Sequence, residues 1–361
     1  MKIVYIFEVN PYENSGIVKK VNDQVAYWKS KGHNVEILMP WPRPIEKSTL
    51  FLRGKIISSP IIARLKDGFI KNYLNKIFCL SKLSKELIRI EPDIIYTRQN
   101  TWYPGIHSIY KKYMTVLELN TVDVLEVKYY PKLKRLVYLL GRKLILANVN
   151  GLISVTPDIL SHYSDFSKLK MGVVSNGINL NRINKLKKPG QSSHVNFVFV
   201  GSSNMKWHGL QKVIDLAHIF PEYFFNIVGY KSDGFSNLPD NIKFYGWVEK
   251  QELEQIYSEN HFGIGSFDNH LVGKPTDSTL KVREYLAYGL PVIIGHFDVD
   301  LKDADFVLKV TDDKGDFIDK ENIKEFVDSY KSISVDNTAL EIIDSATKEE
   351  ERLSFFRKLL N

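Results

Sequence analysis

The chain has 361 residues, 44% hydrophobic and 25% charged, with 49 Lys and Arg against 42 Asp and Glu and a formal net charge of +7. That length exceeds one ordinary core and the composition is that of a chain that folds throughout, so two domains without a long disordered linker are expected. The positive balance points to an anionic partner, and no stretch reaches the ~20 uninterrupted apolar residues of a membrane span.

Lys2–Phe7 is an apolar run that stops at Glu8, too short for a secretory core, and reads as a buried first strand. A polar loop, Asn10–Gly16, follows, and then a helical pattern to about Lys31. Gly32 stops the helix and Val35–Met39 supplies a second strand, which completes a β-α-β unit of parallel-sheet type. The single cysteine, Cys79, excludes an internal disulfide and favours a reducing compartment, so a cytoplasmic location is expected. Strands at Asp93–Thr97, Thr115–Leu119 and Gly151–Val155 continue the alternation, and Asn176-Gly177 marks a turn.

Lys185–Ser193 is polar, basic and broken by Pro189-Gly190, and it is the expected boundary between a first domain over 1–188 and a second over 189–346. The second series runs strand Phe197–Val200, helix Leu210–Ile219, strands Phe225–Val228 and Ile242–Tyr245, helix Gln251–Ser258, strand Phe262–Gly265, helix Leu280–Tyr288 and strand Pro291–Ile294. Helices around Glu321–Tyr330 and Lys348–Leu360 close the chain, and residues 347–361 are expected to return to the first domain. The fold class is therefore α/β, with two Rossmann-like domains.

Open α/β sheets bind ligands outside the carboxyl ends of their strands, where N–H groups at helix N-termini favour phosphate. Three loops qualify. Asn10–Gly16 places Gly16 where backbone must approach a ligand or another surface closely. Gly201–Gly209 supplies Gly201, Ser203, Lys206, His208 and Gly209 directly before a helix, a set suited to a diphosphate. Lys274–Leu280 offers Ser278 and Thr279 as helix openers ahead of Leu280, and Lys281 then stands at the end of a helix where a cation is unfavourable unless an anion joins it. Glu284, one turn on, is placed to accept from sugar hydroxyls; the alternative is a solvated pair with Lys281 at i,i+3. Asp298–Asp305 alternates carboxylates without the Gly and Glu of a calcium loop, and it reads as a solvated turn.

The order of these motifs, with Lys31-Gly32-His33, Asp93–Arg98, Val116–Asn120, Asn176-Gly177-Ile178-Asn179, Trp207-His208-Gly209, Tyr245–Val248 and Lys281–Ile293, resembles the family 4 glycosyltransferases, retaining enzymes with the fold called GT-B. The resemblance spans nearly the whole chain. It implies two Rossmann-like domains facing across a cleft, and transfer of a sugar with retention from a nucleotide-diphosphate sugar, UDP being the leading base. In that mechanism the leaving diphosphate helps to take the acceptor proton, so neither a protein base nor a metal or other cofactor is demanded. Glu284 matches the second of the family's two donor-site glutamates, and the first falls on Thr276. Lys206, His208 and Lys281 inherit the phosphate role, Trp247 and Val248 join the nucleotide side, and the family's first-domain histidine falls on Asn120. Glu284, Lys281 and Asn120 are thus the expected catalytic set, with Glu118 and Glu126 on the acceptor side.

Basic and apolar residues interleave at Lys128–Lys143 and across Phe51–Lys76, either as an interfacial helix on an anionic membrane or as a helix with one core face and one solvated face. The first alternative fits a glycan or polyprenyl-diphosphate-linked acceptor and peripheral attachment to the inner face of the plasma membrane, in the service of polysaccharide synthesis. A nucleotide-sugar epimerase of the same fold, or a silent nucleotide-sugar-binding subunit, are the competing readings. No nucleic-acid module is visible, and a nucleic acid is not an expected partner.

Overall fold

A computed structural model describes residues 1–43, 49–62, 64–186, 194–202, 205–312, 314–317 and 320–361. The described chain divides into two compact units, Met1–Val174 with Lys348–Asn361, and Ser175–Thr347.

In the first unit the order is β1 (Lys2–Ile6), α1 (Gly16–Ser30), β2 (Asn34–Met39), β3 (Lys55–Ile56), α2 (Phe69–Ile90), β4 (Ile94–Arg98), α3 (Ile106–Lys112), β5 (Thr115–Leu119), α4 (Asp123–Glu126), α5 (Lys132–Leu146), β6 (Gly151–Ser154), α6 (Pro157–Ser161) and β7 (Lys170–Val173). The strands form one sheet in the order β3-β2-β1-β4-β5-β6-β7, parallel throughout. Each central strand is apolar on both faces, as a parallel sheet covered by helices requires. Val4, Ile6, Ile95 and Leu117 enter one core, and Ile3, Tyr5, Tyr96 and Val116 the other. Ser15 Oγ accepts from the Val18 N–H to open α1, and Gly32, at a φ of 80°, ends it with the left-handed turn that a side chain would resist.

The second unit runs β8 (Val195–Val200), α7 (Leu210–Ile219), β9 (Tyr223–Val228), β10 (Ile242–Gly246), α8 (Lys250–Ser258), β11 (Phe262–Ile264), β12 (Thr276–Asp277), α9 (Leu280–Ala287), β13 (Val292–Ile294), β14 (Phe297–Asp298), β15 (Val307–Lys309) and α10 (Lys320–Tyr330). Its main sheet is again parallel, in the order β10-β9-β8-β11-β13-β15, and β12 pairs with β14 apart from it. Phe197, Phe199 and Ile293 face one core, Val198, Val292 and Ile294 the other.

The final helix α11 (Ser345–Leu360) buries Leu353 and Phe356 among Ile3, Tyr5 and Tyr96 of the first unit. A buried polar network holds it there: Glu349 accepts from Trp28 Nε1 at 2.9 Å and from Gln24 Nε2 at 3.1 Å, while Arg352 donates to Tyr96 Oη at 2.7 Å.

The expected boundary at 188/189 lies outside the described residues. The compact units part earlier, between Val174 and Ser175, because Ile178, Leu180, Ile183 and Leu186 pack on the core of the second unit with Tyr285 and Leu286. The two-residue strand β3 had no counterpart in the sequence reading, since Lys55-Ile56 carries no alternating pattern of its own.

Candidate functional site

In the second sheet the strand order reverses between β8 and β11, the position outside the carboxyl ends of the strands where open α/β sheets take their ligands. The segments leaving those two strands, 201–209 and 265–279, border it. α9 is the crossover from β11 to β13, so its N-terminus lies at the same edge.

The first segment is bent tightly by its glycines. A Cβ on Gly201 would come within 2.5 Å of the Tyr230 ring and 3.1 Å of His208 Nδ1, and Gly209 sits at a φ of 75° where it opens α7. The Ser202 N–H donates to His208 Nδ1 at 3.2 Å, which makes that nitrogen the acceptor and leaves the ring hydrogen on Nε2. Burial first, then the charges of Lys281 and Lys274, push the His208 pKa down to about 2. The ring is therefore a neutral N–H donor to any anion, where the sequence alone allowed a cation. The His208 and Trp207 carbonyls accept from the Phe267 and Asp268 N–H groups, which ties this segment to the one leaving β11. Lys206 is exposed in a single turn of 3-10 helix, and Ser203 lies outside the described residues.

Thr279 stands at the N-cap of α9 with extended backbone, but its hydroxyl makes no capping bond and is buried without a hydrogen-bond partner. The first N–H groups of α9 are thus free of a side-chain cap, at the positive end of the helix dipole. Lys281 enters the same space. Its Nζ is buried, has no hydrogen-bond partner, and lies 4.6 Å from the centroid of the Phe199 ring. Burial lowers its pKa to about 7, against a partial pull upward from Asp277. Asp277 cannot serve it directly, since its carboxylate is engaged by Lys274 Nζ at 2.6 Å, Asn269 Nδ2 at 2.9 Å and the Ser278 N–H at 2.8 Å.

Glu284, one turn along α9, is half-buried and accepts from Tyr257 Oη at 3.4 Å. Its neighbour Tyr285 receives the Val200 N–H at 2.8 Å and so fixes the helix against the end of β8. Thr276 lies on β12 beside Phe297, Ser278 is fully buried, and Leu280 begins α9. Trp247, past the end of β10, is 75% exposed, whereas Val248 packs on the core that contains Leu286. The structure therefore brings Gly201, His208, Gly209, Thr279 and Lys281 together and leaves Lys206 and Trp247 open to solvent.

In the first unit Gly16 is the exposed first residue of α1, and Asn120 follows the carboxyl end of β5. Glu126 accepts from Tyr130 Oη at 3.0 Å. Glu118, expected on the acceptor side, is instead 1% exposed inside the unit. Lys20 Nζ reaches its Oε1 at 2.5 Å and Arg352 Nη2 lies 3.9 Å away. Burial would raise the Glu118 pKa, but Lys20, Arg352 and Arg98 together hold the carboxyl well below its ordinary range. Glu118 is thus a core anion. Three polar residues that the sequence reading passed over lie near the same strand ends: Glu8, paired with Lys76 at 2.7 Å, Gln99, and Asp123, which accepts from Gln99, Tyr138 and Arg142. Their only sequence signal was position at the ends of β1, β4 and β5.

Asp298 also departs from expectation. It is 1% exposed and accepts from Arg283 Nη1 at 2.5 Å, so the carboxylate string opens inside the fold, not in a solvated turn. Among the described residues no group of three or more His, Cys, Asp or Glu is placed to hold a metal ion.

No family model matches the chain. It is 28% identical over 169 residues to an uncharacterized 41.2 kDa protein in the cps region of Klebsiella pneumoniae, a match covering 40% of this chain and 46% of the relative. The chain thus spans about half the length of the curated relative it matches. Among solved structures, sucrose-phosphate synthase from Thermosynechococcus elongatus superposes with a TM-score of 0.70 at 13% identity, over 99% of each chain. Anabaena HepE in complex with UDP-glucose gives 0.63 at 13% identity, over 99% of this chain and 100% of that one. UDP-GlcNAc 2-epimerase from Neisseria meningitidis, bound to UDP-GlcNAc, gives 0.55 at 14% identity, again over 99% and 100%. At these identities the likeness is one of fold: the chain has the α/β architecture of GT-B proteins, with two Rossmann-like units of parallel sheet.

Proposed function

We propose that this chain is a glycosyltransferase that moves a sugar, with retention, from a nucleotide-diphosphate sugar, UDP-linked before GDP-linked, to a glycan or lipid-linked acceptor. One observation carries the reading: a buried lysine amine with no hydrogen-bond partner, Lys281, stands at the uncapped N-terminus of α9 beside the neutral N–H donor of His208. A diphosphate would supply the missing negative charge and accept from the helix N–H groups, from Lys281 and from His208 Nε2. Charge that develops on the leaving diphosphate is stabilised by the same donors, which need no rearrangement during the reaction. Glu284 would accept from the ribose, and Asn120 would bond a donor-sugar hydroxyl without titrating.

The acceptor side is read from α5. Leu133, Leu136, Leu140 and Leu144 are 61%, 55%, 69% and 43% exposed along one face, flanked by exposed Lys128, Lys132, Arg135 and Lys143. That arrangement supports peripheral contact with an anionic membrane, where a polyprenyl-diphosphate-linked acceptor of polysaccharide synthesis would lie. No helix among the described residues is long and apolar enough to cross a membrane.

The test is the melting temperature of the purified protein with UDP, GDP, ADP and CMP, with and without magnesium, repeated with Glu284→Ala. Stabilisation by one diphosphate, lost in the variant, supports the reading. If no nucleotide shifts the wild type, the turn that opens α9 is not a donor site. Turnover of a UDP-sugar by epimerisation, without transfer, would favour the epimerase alternative.

A further inference from the structure

Arg283 lies on α9 between Lys281 and Glu284 but is fully buried. All three of its guanidinium nitrogens are engaged. Nε donates to the Asn176 carbonyl at 3.1 Å, Nη1 to Asp298 Oδ2 at 2.5 Å and Nη2 to Asp300 Oδ2 at 2.6 Å. Asn176 in turn grips the segment ahead of α9: its N–H donates to Ser278 Oγ at 3.1 Å and its Nδ2 to the Ser278 carbonyl at 2.7 Å. Ser175 Oγ donates to Asp300 Oδ2 at 2.7 Å.

Ser175 and Asn176 are the first two residues of the second unit. Two residues further, the Ile178 N–H donates to the Ile343 carbonyl at 2.9 Å and the Ile178 carbonyl accepts from the Ser345 N–H at 2.8 Å. The segment by which the chain enters this unit is therefore bonded to the segment by which it leaves, to the turn that opens α9, and through Arg283 to α9 itself. A planar guanidinium can hold these three acceptors at fixed angles, which a lysine ammonium on a flexible stem cannot.

We propose that Arg283 is a positioning residue: through Asn176 it fixes Ser278 and the turn that presents Lys281 and the N-terminus of α9 to the ligand, and it links that turn to the 175–178 entry segment. The part concerning the ligand rests on the donor-site reading above, while the link between the two segments does not. Linkage is reciprocal, so whatever orders the α9 turn also orders residues 175–178.

The experiment is hydrogen exchange on the full-length wild type, Arg283→Lys and Asn176→Ala, the last keeping the buried cation and its two carboxylates in place. Without nucleotide, exchange is expected to rise together in peptides covering 175–178 and 277–281, with β5 unchanged. Loosening of one segment alone overturns the link. UDP affinity is then measured for Arg283→Lys, Lys281→Met and the double variant. Each single change is expected to weaken binding about tenfold, the order of one hydrogen bond to a charged group, and the double by clearly less than the product of the two. Independent, additive losses would reduce Arg283 to a fold-stabilising residue. If UDP fails to bind the wild type, the donor reading falls, and the exchange arm still decides whether the two segments move as one.

Discussion

Lys281 Nζ lies 4.6 Å from the centroid of the Phe199 ring, buried and with no hydrogen-bond partner, while Asp277, the carboxylate that pulls its pKa upward, is held by Lys274. A buried ammonium without a counter-anion is costly, and the amine titrates near pH 7 for that reason. The sign follows from the two ends of the shift. Below about pH 7 the amine is charged in the free protein, and an anion binds with no proton change at this group. Above it the free amine is neutral, and an arriving diphosphate draws a proton onto it. UDP affinity is therefore expected to fall as pH rises above about 7, where the phosphate itself is already largely ionised, a phosphate's second pKa being about 6. Calorimetry at pH 8 in buffers of different ionisation enthalpy should register uptake of up to one proton, and Lys281→Met should abolish it. Binding that is flat between pH 7 and 9 would remove Lys281 from the site.

The same lysine leaves a mark on stability. Its folded-state pKa of about 7 lies below the ordinary 10.5, so the unfolded chain binds more protons between those values. Stability from this group is expected to rise with pH across that window, in the absence of ligand. Lys281→Met should flatten the rise, and melting temperatures of the two proteins at pH 7 and pH 9.5 would show it. Equal pH dependence in both would place the amine in water.

The α/β alternation was legible because each strand of a covered parallel sheet is a short apolar run and each helix begins at a polar, Gly-containing turn. The helix Leu210–Ile219 and the start of α9 at Leu280 came directly from that pattern. The candidate loops were legible for the same reason, since ligands lie where strands end. Long-range charge pairing was not. Glu118 looked like a strand-end acceptor group because its partner Lys20 lies 98 residues away, and Asp298 looked solvated because Arg283 sits on a different element. Nor does a sequence show that Lys281 lacks a partner, because that depends on Asp277 being taken by Lys274.

Glu118 gives a prediction about stability alone. It is buried against Lys20 and Arg352, and removing one member leaves buried cations uncompensated, at a cost of about 3–5 kcal/mol. Glu118→Gln should lower the melting temperature by several degrees while leaving UDP affinity unchanged, as measured on the fraction still folded. Its depressed pKa means that its contribution is full above the unfolded value of about 4.5 and is lost as pH falls below that. The wild type and the variant should therefore converge in stability under acid. A Glu118→Gln protein of wild-type stability that fails to use an acceptor would restore the acceptor-side role.

The exposed face of α5 bears on the two readings that the sequence left open. The helix has a core face, where Tyr138, Gly141, Ile145 and Leu146 are buried, but its other face is not simply polar: five leucines, Leu133, Leu136, Leu139, Leu140 and Leu144, are open to solvent there between lysines and arginines. Transfer of a leucine side chain out of water is worth about 1.5–3 kcal/mol, so each leucine that inserts contributes about tenfold or more to partitioning. The protein is expected to sediment with vesicles containing phosphatidylserine and to stay free with neutral phosphatidylcholine vesicles, the bound fraction falling as salt rises. Leu136→Asp with Leu140→Asp should abolish binding at unchanged melting temperature, because both side chains are already exposed. Arg135→Ala with Lys143→Ala should weaken binding mainly at low salt. If the leucine variant sediments like the wild type, membrane contact does not run through α5, and the stripe is then to be tested as a contact between copies of the chain by measuring its mass in solution.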